Sequence, residues 1–196
     1  MVIDTVEFGV KNMLNHFIYP IYTSILALLT FAIVPRKEIR RLAIYGIVFG
    51  AVADIFFIEL LGIMGMGKYI NFKYFGAFGI SFFPPIAWTA YFILYLYILP
   101  KNKPWKYLFP VIASCYSIYF SNILQAMDIF KWNYGNPLLP LLIIYAPWHF
   151  GVTWAYLRIT NETFIKKKIR NTIIPAPAMK QKHIERKIRF LKPKKW

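Results

Sequence analysis

Residues 42–66 read LAIYGIVFGAVADIFFIELLGIMGM and follow directly on PRKEIRR at 35–41. The apolar stretch is 25 residues long and holds only two ionisable side chains, Asp54 and Glu59. About 20 apolar residues in a helix cross the hydrocarbon core of a bilayer. Open backbone cannot face lipid, so such a stretch is a helix or a strand of a closed barrel. Barrel strands alternate apolar and polar residues, and this run is continuous. It predicts a transmembrane helix, begun by Pro35 and its basic cluster and ended by Gly65, Gly67 and Lys68.

Four further apolar runs flank it, at about Phe17–Val34, Gly76–Leu99, Tyr107–Met127 and Leu138–Leu157. Pro100, Lys101, Lys103, Pro104 and Lys106 separate the third span from the fourth, and the turn-rich stretch Lys131–Pro137 precedes the fifth. The expectation is an all-α polytopic bundle of about five transmembrane helices. Composition agrees: 58% of the 196 residues are hydrophobic and 16% are charged, against roughly 25% charged in a soluble domain. The mean hydropathy is +0.46. Three parts are expected: an amphipathic lead (1–16, with Asp4, Glu7 and Lys11), the bundle (17–158) and a basic tail (159–196). The lead lacks the basic start and cleavage site of a signal peptide.

The net charge of +16 is unevenly spread, with 13 of the 24 Lys and Arg lying from Arg158 onward. Loops one and three carry four and three basic residues, whereas the lead, loop two and loop four carry one, two and one. Basic loops stay inside the cell, and with an odd number of spans the tail falls on their side. The N-terminus is therefore expected outside and the C-terminus inside a multi-pass protein of the inner, cytoplasmic membrane.

The tail places Lys166, Lys167, Lys168 and Arg170 soon after the last span. Beyond Pro175-Ala176-Pro177 come Lys180, Lys182, Arg186, Lys187 and Arg189, interleaved with Ile184, Ile188, Phe190 and Leu191. A basic amphipathic segment beside a membrane binds anionic lipid, each basic group contributing about 1 kcal/mol. No RNA-binding signature accompanies these charges, so lipid headgroups are the expected partner and nucleic acid is set aside. A protein partner or a second copy stays open.

Inside the spans, ionisable residues are functional candidates. Gly46, Gly50 and Asp54 recur at every fourth position and share a helix face. The GxxxG pair lets a neighbouring backbone approach closely, which turns Asp54 into the bundle. Glu59 lies about 140° around the helix from it, so the two carboxyls form no dyad. His149, in Ala146-Pro147-Trp148-His149, and Asp54 both fall near the middle of their spans; they either meet, directly or through water, or each finds a separate partner. In the fourth span Ser114, Ser117, Ser121, Gln125 and Asp128 form one stripe with Asn122 beside it, either interhelical glue or the wall of a cleft with Gln125, Asn122 and Asp128 at its outer mouth. Pro84-Pro85 either kinks the third span or marks its start.

Aromatic pairs near the span ends (Tyr19 and Tyr22, Tyr69 and Tyr74, Trp105 and Tyr107, Trp132 and Tyr134) read as interface belts, and the lone Cys115 as a small buried residue. No nucleotide, metal or nucleophile motif is present, so no catalytic residue, cofactor or metal site is expected. A Ser117–His149–Asp54 triad has nothing but residue types in its favour.

The basic turn Pro35-Arg36-Lys37, the glycine-bearing second span with Asp54, Phe83-Pro84-Pro85 before the third span and Trp132-Asn133-Tyr134 before the last resemble a family of small, uncharacterised multi-span membrane proteins of endospore-forming bacteria. The resemblance covers roughly residues 17 to 160 and implies a bacterial membrane bundle without implying an activity; the long basic tail departs from the pattern. The function expected is binding or passage of a small ligand or proton along the polar face, by Asp54, Glu59, Ser117, Ser121, Asn122, Gln125, Asp128 and His149. The alternative is a non-catalytic membrane anchor or assembly factor whose tail holds lipid or a partner.

Overall fold

The computed structural model describes residues 2–72, 75–77, 80–100, 102–133, 135–136 and 138–173, with side chains described from 17 to 161 except at 80, 103 and 141. The chain forms two units, Met1–Thr153 and Trp154–Trp196. The architecture is all-α, with four very short strands. In order it runs α1 (Val2–Ile33), α2 (Arg36–Gly46), the π-helical segment π1 (Ile47–Val52), α3 (Ala53–Ile63), β1 (Gly67–Tyr69), β2 (Gly76–Ala77), β3 (Ile80–Ser81), α4 (Phe83–Ile98), α5 (Lys103–Ala126), β4 (Phe130–Trp132), α6 (Leu138–Pro140), a second π-helical segment π2 (Leu141–Tyr145) and α7 (Ala146–Ile173). The lead and first span are one helix, and α7 continues past residue 158 through the backbone of Lys166–Arg170. Lys180, Lys182, Arg186, Lys187 and Arg189 lie outside the described residues, as do Tyr74 and Tyr134.

Arg36–Ile63, Pro104–Ala126 and Leu138–Asn161 are long and apolar enough to cross a membrane, and Phe17–Ile33 and Phe83–Ile98 are shorter apolar helices. The first unit has an inverted distribution of polarity. Leu28, Phe31 and Ile63 are more than 65% exposed, whereas Asp54, His149 and four serines are buried. Buried polar groups under an apolar surface are the arrangement of a membrane protein, where lipid replaces water around the outside.

Helix α4 is the hub of this unit, since α1, α2, π1 and α3 all pack on it. It begins at Phe83, with Pro84 and Pro85 in its first turn, where a missing N–H costs nothing and the fixed φ suits the helix. The two prolines therefore start α4 rather than kink it, and the start expected at Gly76 moves to Phe83. Strands β2 and β3 precede it, pairing antiparallel with Gly76 opposite Ser81 and Ala77 opposite Ile80. Thr30 donates to the Ala90 carbonyl at 3.0 Å and Thr23 to the Phe83 carbonyl at 3.3 Å, tying α1 to α4.

The glycine pair does what its spacing predicts. A Cβ at Gly46 would stand 2.6 Å from Ile93 Cγ1 and one at Gly50 only 2.5 Å from the Trp88 carbonyl oxygen. The α4 backbone thus passes directly over the glycine face.

Helices α3 and α5 end alike. After α3, Met66 N–H bonds Leu61 C=O and Gly65 N–H bonds Gly62 C=O, with Gly65 left-handed at φ +67°. After α5, Ile129 N–H bonds Leu124 C=O and Asp128 N–H bonds Gln125 C=O, with Asp128 left-handed at φ +58°. Both are Schellman endings. They launch β1 and β4, which pair antiparallel with Lys68 opposite Lys131 and Tyr69 opposite Phe130. Tyr19 is fully buried below this pair, its hydroxyl 2.6 Å from the Ile70 carbonyl and 2.5 Å from that of Ile129.

Candidate functional site

A cavity of about 40 Å³ lies under the β1–β4 pair, lined by Tyr22 and Leu26 of α1, Tyr69 of β1, Ala87, Trp88 and Tyr91 of α4, Tyr116, Ser117, Phe120, Ser121 and Leu124 of α5, Phe130 of β4 and Tyr145 of π2. Such a volume holds roughly three waters, provided polar partners are at hand. Hydroxyls from five elements supply them. Half-exposed Tyr116 and the partly buried Tyr22, Leu26 and Phe120 place the more open wall at the seam between α1 and α5.

Two hydrogen-bonded arms lead from this cavity to the two ionisable groups inside the bundle. On one side Tyr69 donates its hydroxyl to Asp54 Oδ1 at 3.2 Å. Burial, reinforced by the Asp54 carboxyl, raises the Tyr69 phenol well above its ordinary range, so it stays a donor. Asp54 is 5% exposed, and its buried Oδ2 has no hydrogen-bond partner among the described residues. An unmatched buried carboxyl oxygen costs free energy in either protonation state, because the acid form leaves a proton and the anion a charge unanswered.

On the other side His149, fully buried, places Nε2 at 2.9 Å from the Tyr91 hydroxyl and 3.4 Å from Ser117 Oγ. Its Nδ1 lies 2.7 Å from the Tyr145 carbonyl. A carbonyl only accepts, so Nδ1 carries the proton, and in the neutral ring Nε2 takes one from Tyr91. The rings of Tyr91, Phe92, Tyr95 and Trp148 enclose the imidazole at centroid distances of 5.5 to 6.2 Å. Trp148 in turn donates Nε1–H to the Phe49 carbonyl in π1 at 2.9 Å. Each π-helical segment lies within about one helical turn before a buried ionisable group, π1 ending at Val52 before Asp54 and π2 at Tyr145 before His149. Such wide turns recur at functional sites because they re-aim side chains.

Asp54 and His149 thus have separate hydrogen-bond partners and do not bond each other. The Ser117–His149–Asp54 triad fails for the same reason: Nδ1 faces a backbone carbonyl where an orienting carboxylate would be needed, and Ser117 gives its proton to the Ala113 carbonyl at 2.9 Å. Glu59 is exposed on the far side of α3, as its angular offset requires.

The serine stripe is both glue and wall. Ser114 bridges the Pro110 and Tyr145 carbonyls, while Ser117 and Ser121 line the cavity. The expected mouth dissolves. Asn122, Gln125 and Asp128 are all exposed and none lines the cavity. Gln125 Oε1 accepts the Trp132 N–H at 2.9 Å, and Asp128 ends α5. Both serve the α5–β4 turn, because the stripe leaves the helix there.

The aromatic pairs also divide. Trp105 and Tyr107 are more than half exposed, as a belt requires, but Tyr19 and Trp132 are buried, and Tyr22 and Tyr69 line the cavity. Cys115 is exposed on α5 rather than buried. Sequence reasoning overlooked Tyr69, Tyr91 and Trp88. A signal existed for α4, where Trp88, Tyr91 and Tyr95 sit at helical spacing on one face; for Tyr69 the β1–β4 pairing had to be known. Among the described residues no three His, Cys, Asp or Glu side chains come together. The chain matches no protein-family model, no curated protein and no solved structure.

Proposed function

We propose that this chain is a multi-pass protein of the cytoplasmic membrane, N-terminus outside and C-terminus inside, that binds or passes a small ligand or proton through the cavity between Asp54 and His149. Five crossings follow if the two shorter apolar helices also span. The observation that carries the reading is the pair of arms, Tyr69 to Asp54 and Tyr91 with Ser117 to His149, whose inner hydroxyls face one water-sized cavity. Hydroxyls and a few waters between an acid and an imidazole are the parts of a proton relay. Kinship with the bacterial family named above belongs to the same proposal, as does binding of the basic tail to anionic lipid.

The test is proton flux into proteoliposomes carrying a trapped pH dye and a potassium–valinomycin potential. Wild type should acidify the lumen faster than empty vesicles, and Asp54→Asn and His149→Ala should each reduce the excess by about tenfold or more. Equal flux in wild type and both variants would sink the relay.

A second reading, the anchor or assembly factor, draws on Ser114, whose hydroxyl reaches from α5 to the Tyr145 carbonyl of π2 at 3.1 Å, as interhelical glue would. It expects deletion of 166–196 to abolish function while Asp54→Asn costs only stability.

A further inference from the structure

We infer that the cavity under the β1–β4 pair is a site for a small ammonium group, carried by a free amine or by an amine lipid headgroup. The inference rests on the reading above that this cavity receives a ligand, and names its class from what the walls offer.

The walls offer lone pairs. Three hydroxyls of the lining have committed their protons elsewhere, Tyr69 to Asp54 Oδ1, Tyr91 to His149 Nε2 and Ser117 to the Ala113 carbonyl; Ser121, whose proton goes to the Ile118 carbonyl, already accepts the Trp132 Nε1–H at 3.3 Å. A hydroxyl whose proton is spent can only accept. Among the described residues no Lys, Arg or His side chain lines the cavity. The rest of the wall is largely aromatic, with the indole of Trp88 and the phenol of Tyr145 among it, and aromatic faces carry the negative lobe of the ring quadrupole.

A carboxyl stands behind that wall. Asp54 lies one hydroxyl away through Tyr69 and within electrostatic range of Tyr22 and Tyr145, both lining residues. Its buried Oδ2 has no hydrogen-bond partner among the described residues. Acceptor oxygens, π faces and an unanswered carboxyl oxygen all favour a cation that donates hydrogen bonds, and disfavour an anion. The volume suits a group of about three waters, the scale of ammonium or a methylated ammonium. An N–H cation fits better than a bare alkali ion, because N–H groups point at separate acceptors while methyl groups rest on rings.

The experiment is calorimetric titration of the full-length chain in nanodiscs of phosphatidylglycerol, which bring no amine. The probes are ammonium, methylammonium and tetramethylammonium chloride, against sodium and potassium chloride at matched ionic strength. A saturable signal is expected for at least one of the ammonium probes and none for sodium or potassium. Asp54→Asn and Tyr69→Leu should weaken it by about tenfold or more, and Tyr69→Phe, which keeps the ring, by less than Tyr69→Leu. Should Asp54→Asn not fold, the Tyr69 pair decides. Repeating the titration with phosphatidylethanolamine in the disc separates the sources. Competition identifies a headgroup and its absence a free amine, and both support the site. No saturable signal for any ammonium probe in wild type, or an equal one for potassium, overturns the inference. Because equilibrium binding needs no flux, that result leaves the proton-flux test to stand or fall separately.

Discussion

Replacing Gly50 by alanine adds one methyl group where α4 crosses π1. The new Cβ would lie 2.5 Å from the Trp88 carbonyl oxygen, 2.6 Å from its carbon and 2.7 Å from Thr89 N, whereas ordinary contact starts at 3.4 Å. All three atoms are backbone, so no rotamer change relieves them and the helices must part locally by roughly 0.9 Å, the gap between 2.5 and 3.4 Å. Overpacking of this kind costs about 1–3 kcal/mol, far more than the fraction of a kcal/mol that alanine returns through helix propensity. Gly62→Ala is the control, because nothing lies within 4 Å of its added Cβ. That variant should be neutral or stabilised by about 0.5–1 kcal/mol. Unfolding of the purified protein, followed by steric trapping in bicelles, reads both. Trp88 and Tyr91 ride on α4, so the Gly50 variant should also weaken any cavity ligand. A Gly50→Ala protein as stable as Gly62→Ala would refute the close crossing and the reasoning built on it.

Tyr19→Phe removes the hydroxyl shared by the Ile70 and Ile129 carbonyls and should destabilise by about 1–3 kcal/mol in the same unfolding assay. Faster amide exchange of Ile70 should accompany it. Asp128→Gly relieves a left-handed residue and should hold or raise stability, while Asp128→Val should lower it by about 1–2 kcal/mol; ammonium or proton handling unchanged in Asp128→Gly would confirm that the residue is a helix ending rather than a mouth. Cys115, exposed on α5, should react in intact vesicles with a lipid-soluble maleimide and resist a charged one. Fast labelling by the charged reagent would place this face of α5 in water.

The all-α class, the breaks between helices and the glycine crossing were legible in the sequence because each depends on local chemistry. Apolar length against bilayer thickness identifies a span, proline and glycine punctuate it, and Gly46, Gly50 and Asp54 share a face by helical geometry alone. Burial of Asp54 against exposure of Glu59 followed from the same angle. Partners were beyond reach. Tyr69 meets Asp54 only because two helix endings, one on glycine and one on Asp128, aim β1 at β4 across 61 residues of chain. His149 bonds Tyr91 of α4 and stands 3.4 Å from Ser117 of α5 instead of meeting Asp54, because depth fixes one coordinate and packing around α4 fixes the rest. The stripe of α5 illustrates the division. Its period correctly put Ser117 and Ser121 on an inward face, yet Gln125, still inside α5, accepts the Trp132 N–H of β4, and the left-handed backbone at Asp128 takes that residue off the helix. Periodicity determined which side each residue takes; long-range contacts decided what it finds there, since hydrogen bonds between distant elements leave no period in the chain that makes them.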